Sequence, residues 1–556
     1  MHNCIIKIRY RKVLNHSTMY HLRRFFVIQT FHFNNFLYFY RLKNDQLNFY
    51  YMFDNQSIIT NKDYFPSMLP AEELAQLKFI PTFPEFVTWI EQKWADLPCL
   101  SDTVNTLTYK QTCDLIARKR ALLNELGLQK GDKVAILDNI TVDAVEMFLA
   151  VTSAGYVAIN LPSQLPPQAI MGCCMKFGVK VLAYGKDFAE AVKGVPCKAI
   201  AITDCADHTA PVATVDKEAP AAIFFTGGTT GAPKGAVLPH RALMRGALNG
   251  VYAPGSQFGH HRYPCVLPLS HVFGLVRGTL SVLMEGGAWF SAGNTKETVT
   301  KFPVIRPTCL VAVPGICEIL LGLVKMYGKP FLGGQLGFII SGAANVPPKL
   351  IGEFDELGIQ LFAGYGMTEG ANLTTGNIDV KSRPTSVGKL YPGQEAKVVD
   401  GELWFRGDNV FLGYYGDPEK TAETLTEDGW IKTGDLVRFD EEGYMYIVGR
   451  IKNLIILSNG ENVSPESIEE PFYKDPKLRD CLVKEDEMDG RKVIAIEILP
   501  RMEEFGNGPW EDVEAYFKDL VGKVNATLPT THQVSKMTVR KEDFKRTGAM
   551  KVSRNQ

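Results

Sequence analysis

Residues 224–235 read Phe-Phe-Thr-Gly-Gly-Thr-Thr-Gly-Ala-Pro-Lys-Gly, a short apolar run feeding a loop of glycines and hydroxyls that closes on a lysine. Gly227, Gly228 and Gly231 let the backbone turn tightly and bring its N–H groups near an anion. Thr226, Thr229 and Thr230 add hydroxyl donors, and Lys234 adds a positive charge. A nucleoside-triphosphatase P-loop must end in Gly-Lys-Ser/Thr, so that the lysine opens a helix; here Pro233 precedes the lysine and Gly235 follows it, which excludes that loop. A Gly/Thr-rich surface turn would account for the glycines but not for three threonines and a lysine. The stretch is expected to cradle phosphate.

Outward from the loop, the pattern is α/β. Phe86, Val87, Ile90 and Trp94 recur at helical spacing, and Leu115, Ile116, Leu122, Leu123 and Leu126 make a second amphipathic helix that stops at Gly127. Lys133–Leu137 reads as a buried strand, 145–154 as a helix and 156–161 as another apolar strand, which implies a parallel crossover. The alternation continues through Val179–Tyr184, 200–203 and 221–225, and puts the phosphate loop at the carboxyl end of a strand. Towards the carboxyl terminus, 493–499 reads as a strand and 513–528 as an amphipathic helix, ahead of a basic tail.

With 556 residues, 46% hydrophobic and 22% charged, the chain has the length for two or more domains with substantial cores. A net charge of −1 gives no global pull towards nucleic acid or anionic membrane, so any basic function must be local, and nucleic acid is not expected as a partner. The eleven cysteines form no metal-ligand spacing, and their odd count fits reduced thiols in the cytosol. Residues 1–62 differ from the rest: basic, without an acid before Asp45, and densely aromatic. The apolar run 25–40 is interrupted by polar residues and is shorter than the ~20 needed to span a bilayer, so no transmembrane helix is expected. This leader reads as an organelle-targeting peptide or, preferably, as a stretch outside the native protein or without order, upstream of a start near Met52 or Met68.

The loop Thr-Gly-Gly-Thr-Thr-Gly-Ala-Pro-Lys-Gly is similar to the signature of the adenylate-forming (AMP-binding) superfamily, and further motifs resemble that family in its order from about residue 80 to 556. Leu267-Pro268-Leu269-Ser270-His271 matches a segment that lines the acyl pocket there, although a lone histidine is more often packed than catalytic. Peptide-synthetase domains carry an aspartate in this segment for the substrate's amino group, and its absence argues against an α-amino acid. Ser341-Gly342-Ala343-Ala344 looks like a strand ending in a small-residue turn, which the resemblance gives to adenine. In Gly364-Tyr365-Gly366-Met367-Thr368-Glu369 the two glycines are expected to leave the tyrosine's face open. By resemblance Tyr365 stacks on adenine, Thr368 contacts phosphate and Glu369 helps hold magnesium, a hard cation suited to carboxylate oxygen. Asp435 would take the ribose hydroxyls, since an ionised carboxylate is acceptor-only. Arg450 would reach the ribose, and Lys452 would be a hinge. In the tail, Lys551 stands in register with the family's catalytic lysine between Thr547 and Arg554; Lys545 for proline and Met550 for glycine depart from its motif, and leave Lys545 as the alternative.

The resemblance implies a large multi-subdomain N-terminal α/β domain (63–449), a small mobile C-terminal α+β domain (450–556) and an active site between them. It also implies an AMP-forming acyl-CoA ligase using ATP, Mg2+ and coenzyme A on a fatty or other non-amino carboxylic acid. An enzyme that loads a phosphopantetheinyl carrier protein, a luciferase-like monooxygenase and a non-catalytic acyl-nucleotide-binding protein share the motifs and stay open here.

Overall fold

The computed structural model describes residues 31–33, 36–43, 46–53, 57–61, 78–226, 234–252, 258–259, 261–457, 462–488, 491–506, 508–546 and 552–554. Its centre is a seven-stranded sheet in the spatial order Lys198–Ala201, Val179–Tyr184, Lys133–Leu137, Val157–Asn160, Pro220–Thr226, Lys234–Pro239 and Gly413–Tyr414. The first five strands run parallel, as the alternation of strands and helices predicts. The helix Val142–Ser153 starts three residues before its apolar pattern because Thr141 caps it, accepting from the Ala144 N–H at 3.1 Å. It then connects two neighbouring strands of the sheet.

The phosphate loop departs from this pattern. The strand after it, Lys234–Pro239, runs antiparallel to Pro220–Thr226, so the loop is the tip of a hairpin and not a strand-to-helix turn. Lys234 thus opens a strand, which agrees with the exclusion of a P-loop.

A five-stranded sheet, Cys309–Ala312, Phe338–Ser341, Gln360–Met367, Asn372–Asn377 and Lys389–Leu390, supplies a second hairpin, 360–377. An antiparallel sheet of Met445–Arg450, Ile431–Phe439, Glu402–Gly407 and Gln394–Val399 carries the last segment of the large core, and one apolar cluster runs through these layers from Ile80 to Met445. The edge strand of that antiparallel sheet is Ile59–Thr60, paired with Ala396 and Glu395, and Asn61 Nδ2 donates to the Leu390 carbonyl at 2.8 Å. The leader is therefore not wholly separate from the fold. Its β-branched end completes a sheet edge, a local signal masked by the aromatic run before it, and the backbone of Phe31–Phe33, Phe36–Lys43 and Gln46–Phe53 forms a three-stranded antiparallel sheet.

A separate apolar cluster, Ile455 to Val534, lies beneath Leu478–Met488, Arg491–Pro500 and Val534–Val539 and the helices Pro465–Phe472 and Trp510–Asn525. It meets the larger core at a few polar points. Lys349 Nζ donates to the Pro476 carbonyl at 3.0 Å and pairs with Glu504 at 3.2 Å, and Ser464 Oγ donates to the Val448 carbonyl at 2.7 Å. At that last contact a Cβ on Gly449 would lie 2.2 Å from Ser464 Oγ, so only glycine lets the cap of Pro465–Phe472 sit on the strand. Among the described residues no helix is long and apolar enough to cross a membrane.

Candidate active site

Thr226 and Lys234 face each other across the base of the phosphate hairpin. Gly227, Gly228, Thr229, Thr230 and Gly231 lie outside the described residues. Gly235 is held to glycine by packing, since a Cβ would fall 2.6 Å from the Phe177 ring. The short strand Gly413–Tyr414 pairs alongside, setting Tyr414 opposite Ala236, and Lys234 Nζ stands 5.5 Å from the Tyr414 ring centre.

The tip of the second hairpin, Thr368–Gly370, packs against the strands of the first. It is sharply turned. Ala371 (φ 49°) and Asn372 (φ 108°) hold left-handed backbone that side chains disfavour, the kind of strain that survives where surrounding structure enforces it. The turn buries Glu369 to 7% exposure, and Glu369 Oε1 accepts from the Tyr414 hydroxyl at 2.6 Å. Burial and the facing carboxylate both hold the Tyr414 phenol above its ordinary value.

Tyr365 corrects one expectation. Its ring is buried, and the flanking glycines do not bare it: a Cβ on Gly366 would sit 1.7 Å from the Asn372 carbonyl, and one on Gly364 3.0 Å from that of Thr375. These glycines let the two strands of the hairpin close. The tyrosine instead donates its hydroxyl to Asp435 Oδ2 at 2.6 Å.

Asp435 is 3% exposed and collects three donors. Besides Tyr365, Arg450 Nε donates to Oδ1 and Arg450 Nη2 to Oδ2 at 3.3 Å, across neighbouring strands in direct register. A carboxylate has about four lone-pair positions, so room for a further donor remains. Lys452, in the single turn Ile451–Asn453, is pulled below its ordinary value by burial and by the charges of Arg450 and Lys234, with Asp435 opposing. Lys234, Arg450 and Lys452 thus share one field, with the Glu369 and Asp435 carboxylates beside them.

Gly342 and Ala343 form the turn after Phe338–Ser341, with Ala344 next; Ala343 has φ 64°, and a Cβ on Gly342 would touch the Gly364 carbonyl at 3.3 Å and the Phe273 ring at 3.4 Å. Phe273 opens a π-helix, Phe273–Leu280, a widened winding that recurs at functional sites. His271 lies just ahead of it. The side chain is solvent-exposed, yet dense surroundings pull the imidazole below its ordinary value, the combination that a cleft wall produces.

Lys551 lies outside the described residues, but both ends of its segment are fixed. Arg546 pairs with Val552 as a β-bridge, and the Ser553 N–H donates to the Lys545 carbonyl at 2.8 Å. Arg546 Nη2 reaches Asp480 at 3.2 Å. Arg554 Nη2 reaches both oxygens of Glu469, at 3.0 and 2.9 Å, and Glu466 at 3.0 Å.

Residues 87–415 match the family model described as AMP-binding enzyme. The chain belongs to that family. The AMP-binding enzymes it is similar to include the 4-coumarate–CoA ligase-like 3 of Oryza sativa subsp. japonica, 28% identical over 487 residues, covering 75% of this chain and 81% of the relative. The fatty acyl-CoA synthetase A of Dictyostelium discoideum is 27% identical, covering 66% and 68%. The fold is that of ATP-bound MatB from Rhodopseudomonas palustris, with a TM-score of 0.74 at 23% identity over 85% of this chain and 98% of that one.

In this AMP-binding enzyme no cluster of three or more metal-ligating side chains exists among the described residues. Magnesium binds through one or two carboxylates together with substrate phosphates, and the Glu369 carboxylate beside the base of the phosphate hairpin is of that kind. Two contributors escaped the sequence reading. Tyr414 carries no local signal, and the resemblance gives Lys452 only as a hinge. Their partners Glu369 and Lys234 are far away in the chain, and nothing local in the sequence announces them.

Proposed function

We propose that this chain is an ATP-dependent acid–thiol ligase of the acyl-CoA synthetase type, carried by one observation: three cations, Lys234, Arg450 and Lys452, share one field beside the carboxylates Glu369 and Asp435. That is a site for a polyanion with a sugar, and ATP supplies both. The relatives' names as CoA ligases and acyl-CoA synthetases support the acid and thiol substrates.

In the first half-reaction a substrate carboxylate oxygen attacks the α-phosphorus of ATP in line. The new C–O–P bond forms as the Pα–O–Pβ bridge breaks, giving acyl-AMP and pyrophosphate. Thr226 and the 227–231 amides, with Lys234, hold the phosphates; Asp435 and Arg450 take the ribose; 342–344 and Tyr365 border the adenine; Thr368 contacts phosphate; and His271 flanks the carboxylate. Lys551 offsets the charge that gathers at the α-phosphate. Magnesium, held in part by Glu369, supplies Lewis-acid polarisation of phosphate oxygens when bound. In the second half-reaction the thiol of coenzyme A attacks the acyl carbon and releases AMP and a proton. Residues 63–449 act as the nucleotide-binding domain and 450–556 as a lid that rotates about Lys452 between the two steps, in the cytosol.

The test is magnesium-dependent ATP–pyrophosphate exchange across a panel of acids, followed by thioester formation with coenzyme A. Lys551→Ala should lower exchange about a hundredfold, since one preorganised charge is worth roughly 3 kcal/mol in such a transition state. Thioester formation from supplied acyl-AMP should survive the change. Exchange unaffected by that substitution would remove Lys551 from the reaction, and thioester formed only on a phosphopantetheinyl carrier protein would replace coenzyme A as acceptor.

A further inference from the structure

Residues 409–415 cross from one hairpin to the other and hold both. At the turn of the second hairpin, Asn409 Nδ2 donates to the Gly370 carbonyl at 3.0 Å and the Phe411 N–H to that of Glu369 at 2.9 Å. At the return strand of the first, the Leu412 N–H donates to the Val237 carbonyl and the Tyr415 N–H to that of Gly235, each at 2.8 Å. Arg241, on the helix His240–Val251 that follows this strand, ties the crossing down by donating from Nη1 to the Asp408 and Val410 carbonyls at 2.7 and 2.9 Å.

The crossing is also propped from behind. Asp417 caps the short helix Pro418–Thr424, and Thr421 Oγ1 accepts from the Tyr414 N–H at 2.9 Å. A Cβ on Gly413 would lie 2.6 Å from Thr421 Cγ2, so only glycine lets that helix close on the segment. The buried Phe411 ring meets the Tyr414 ring edge-on, 5.1 Å between centres. Tyr414 is thus fixed by backbone and ring contacts before its hydroxyl is used. That hydroxyl goes to Glu369 Oε1 at 2.6 Å, and it is the one donor to the Glu369 side chain among the described residues. A glutamate turns about several side-chain bonds, so its carboxylate keeps one orientation only with a partner. One accepted bond leaves most of the carboxylate's roughly four lone-pair positions for a cation.

We propose that Tyr414 is a positioning residue for the metal carboxylate: from the segment that bridges the hairpins it aims Glu369 at the phosphates of the bound nucleotide, and so sets how tightly magnesium is held with them. The inference rests on the ligase reading, in which Glu369 is the magnesium carboxylate. A donor that orients a ligating carboxylate is worth roughly ten- to a hundredfold in metal affinity. Tyr414 acts through Glu369 and not on the reacting atoms.

The experiment is calorimetric binding of α,β-methylene-ATP, which cannot be cleaved at the reacting bridge, in magnesium and in EDTA, to wild type, Tyr414→Phe, Glu369→Gln and the double variant. Phenylalanine keeps the ring that packs against Phe411 and Lys234 and removes only the hydroxyl. In Tyr414→Phe the Kd in magnesium should rise roughly tenfold, and binding in EDTA should be no weaker than that of wild type. In the Glu369→Gln background the same change should cost nothing further, because the two side chains act as one unit. Wild type that gains nothing from magnesium, a Tyr414→Phe that binds as wild type in magnesium, an equal loss in EDTA, or a full additional loss in the double variant each overturns the proposal. Pyrophosphate exchange separates this from the ligase reading. Wild type that exchanges, beside a Tyr414→Phe that binds as wild type, sinks the role of Tyr414 alone. Wild type that binds the analogue with magnesium yet exchanges with no acid sinks the ligase reading, and the same calorimetry still judges Tyr414. Wild type that does not bind the analogue sinks both.

Discussion

Two buried carboxylate–arginine clusters, one on each core, look alike and differ in balance. Asp435 accepts from Arg450 twice and from Tyr365, with Lys452 and Lys234 in the same field. Cations outnumber carboxylates around it, so positive potential remains for a bound anion. Glu469 accepts from Arg554 twice and from the Val483 N–H at 2.7 Å, but Glu466 competes for the same arginine. Here carboxylates outnumber the cation. Burial then outweighs the attraction of Arg554 and pushes the Glu469 carboxyl up to about 7. One cluster is arranged to receive charge; the other ties down the tail that carries Lys551 and can be switched by a proton.

The largest expected effect tests the first cluster. Asp435→Asn replaces an acceptor-only group with one that must turn donors towards Arg450 or Tyr365, and breaking one side of a buried pair costs about 3 kcal/mol. ATP-dependent kcat/KM in pyrophosphate exchange should fall on the order of a hundredfold in a protein still folded by circular dichroism. A change within threefold would break the contrast, leaving Asp435 as scaffold like Glu469.

A smaller effect is expected from Glu469→Gln, roughly tenfold in adenylation, the worth of a charge-assisted bond. Its signature is the pH profile. Below about 7 the wild-type carboxyl takes a proton and releases Arg554, so adenylation should fall on the acid side. Stability should move oppositely. A carboxyl raised from 4.5 to about 7 on folding contributes stability that is full below 4.5 and lost as pH rises through 7. Glutamine should flatten both profiles; exchange rates and melting temperatures measured from pH 5 to 8.5 in the two proteins check this, and an acid limb untouched by the substitution would detach Glu469 from the tail's function.

The smallest effect sharpens the first cluster. Tyr365→Phe keeps the buried ring and removes one of the donors to Asp435, so KM for ATP should rise a fewfold, about 1 kcal/mol, with kcat little changed. A loss as large as that of Asp435→Asn would mean that the hydroxyl, and not Arg450, sets the carboxylate's position.

These contrasts also mark how far the sequence could be read. The parallel strands were legible because apolar runs and the glycines that end them act locally. The antiparallel return of the loop was not, since a strand's direction depends on which neighbour it pairs with. Gly364 and Gly366 were read as baring a ring when they close a hairpin, because the Asn372 and Thr375 carbonyls that exclude a side chain belong to the opposite strand. Tyr414 meets Glu369 across 45 residues, Tyr365 meets Asp435 across 70 and Arg554 meets Glu469 across 85, and no local pattern carries such distances. The resemblance supplied roles for some of these residues, and the packing supplied their partners.

Gly449 has a last consequence, for timing. In the rotation proposed above Lys452 is the pivot, but Ser464 rests on Val448 across a gap that exists because residue 449 has no side chain. Before any rotation that hydrogen bond must part and the cap of Pro465–Phe472 must lift from the strand. The Lys349–Glu504 pair and the Arg501–Glu318 pair at 3.4 Å join the same two cores and would have to part as well. The Ser464 hydroxyl seated over Gly449 is thus a contact that has to open beside the proposed pivot, together with the Arg501–Glu318 pair.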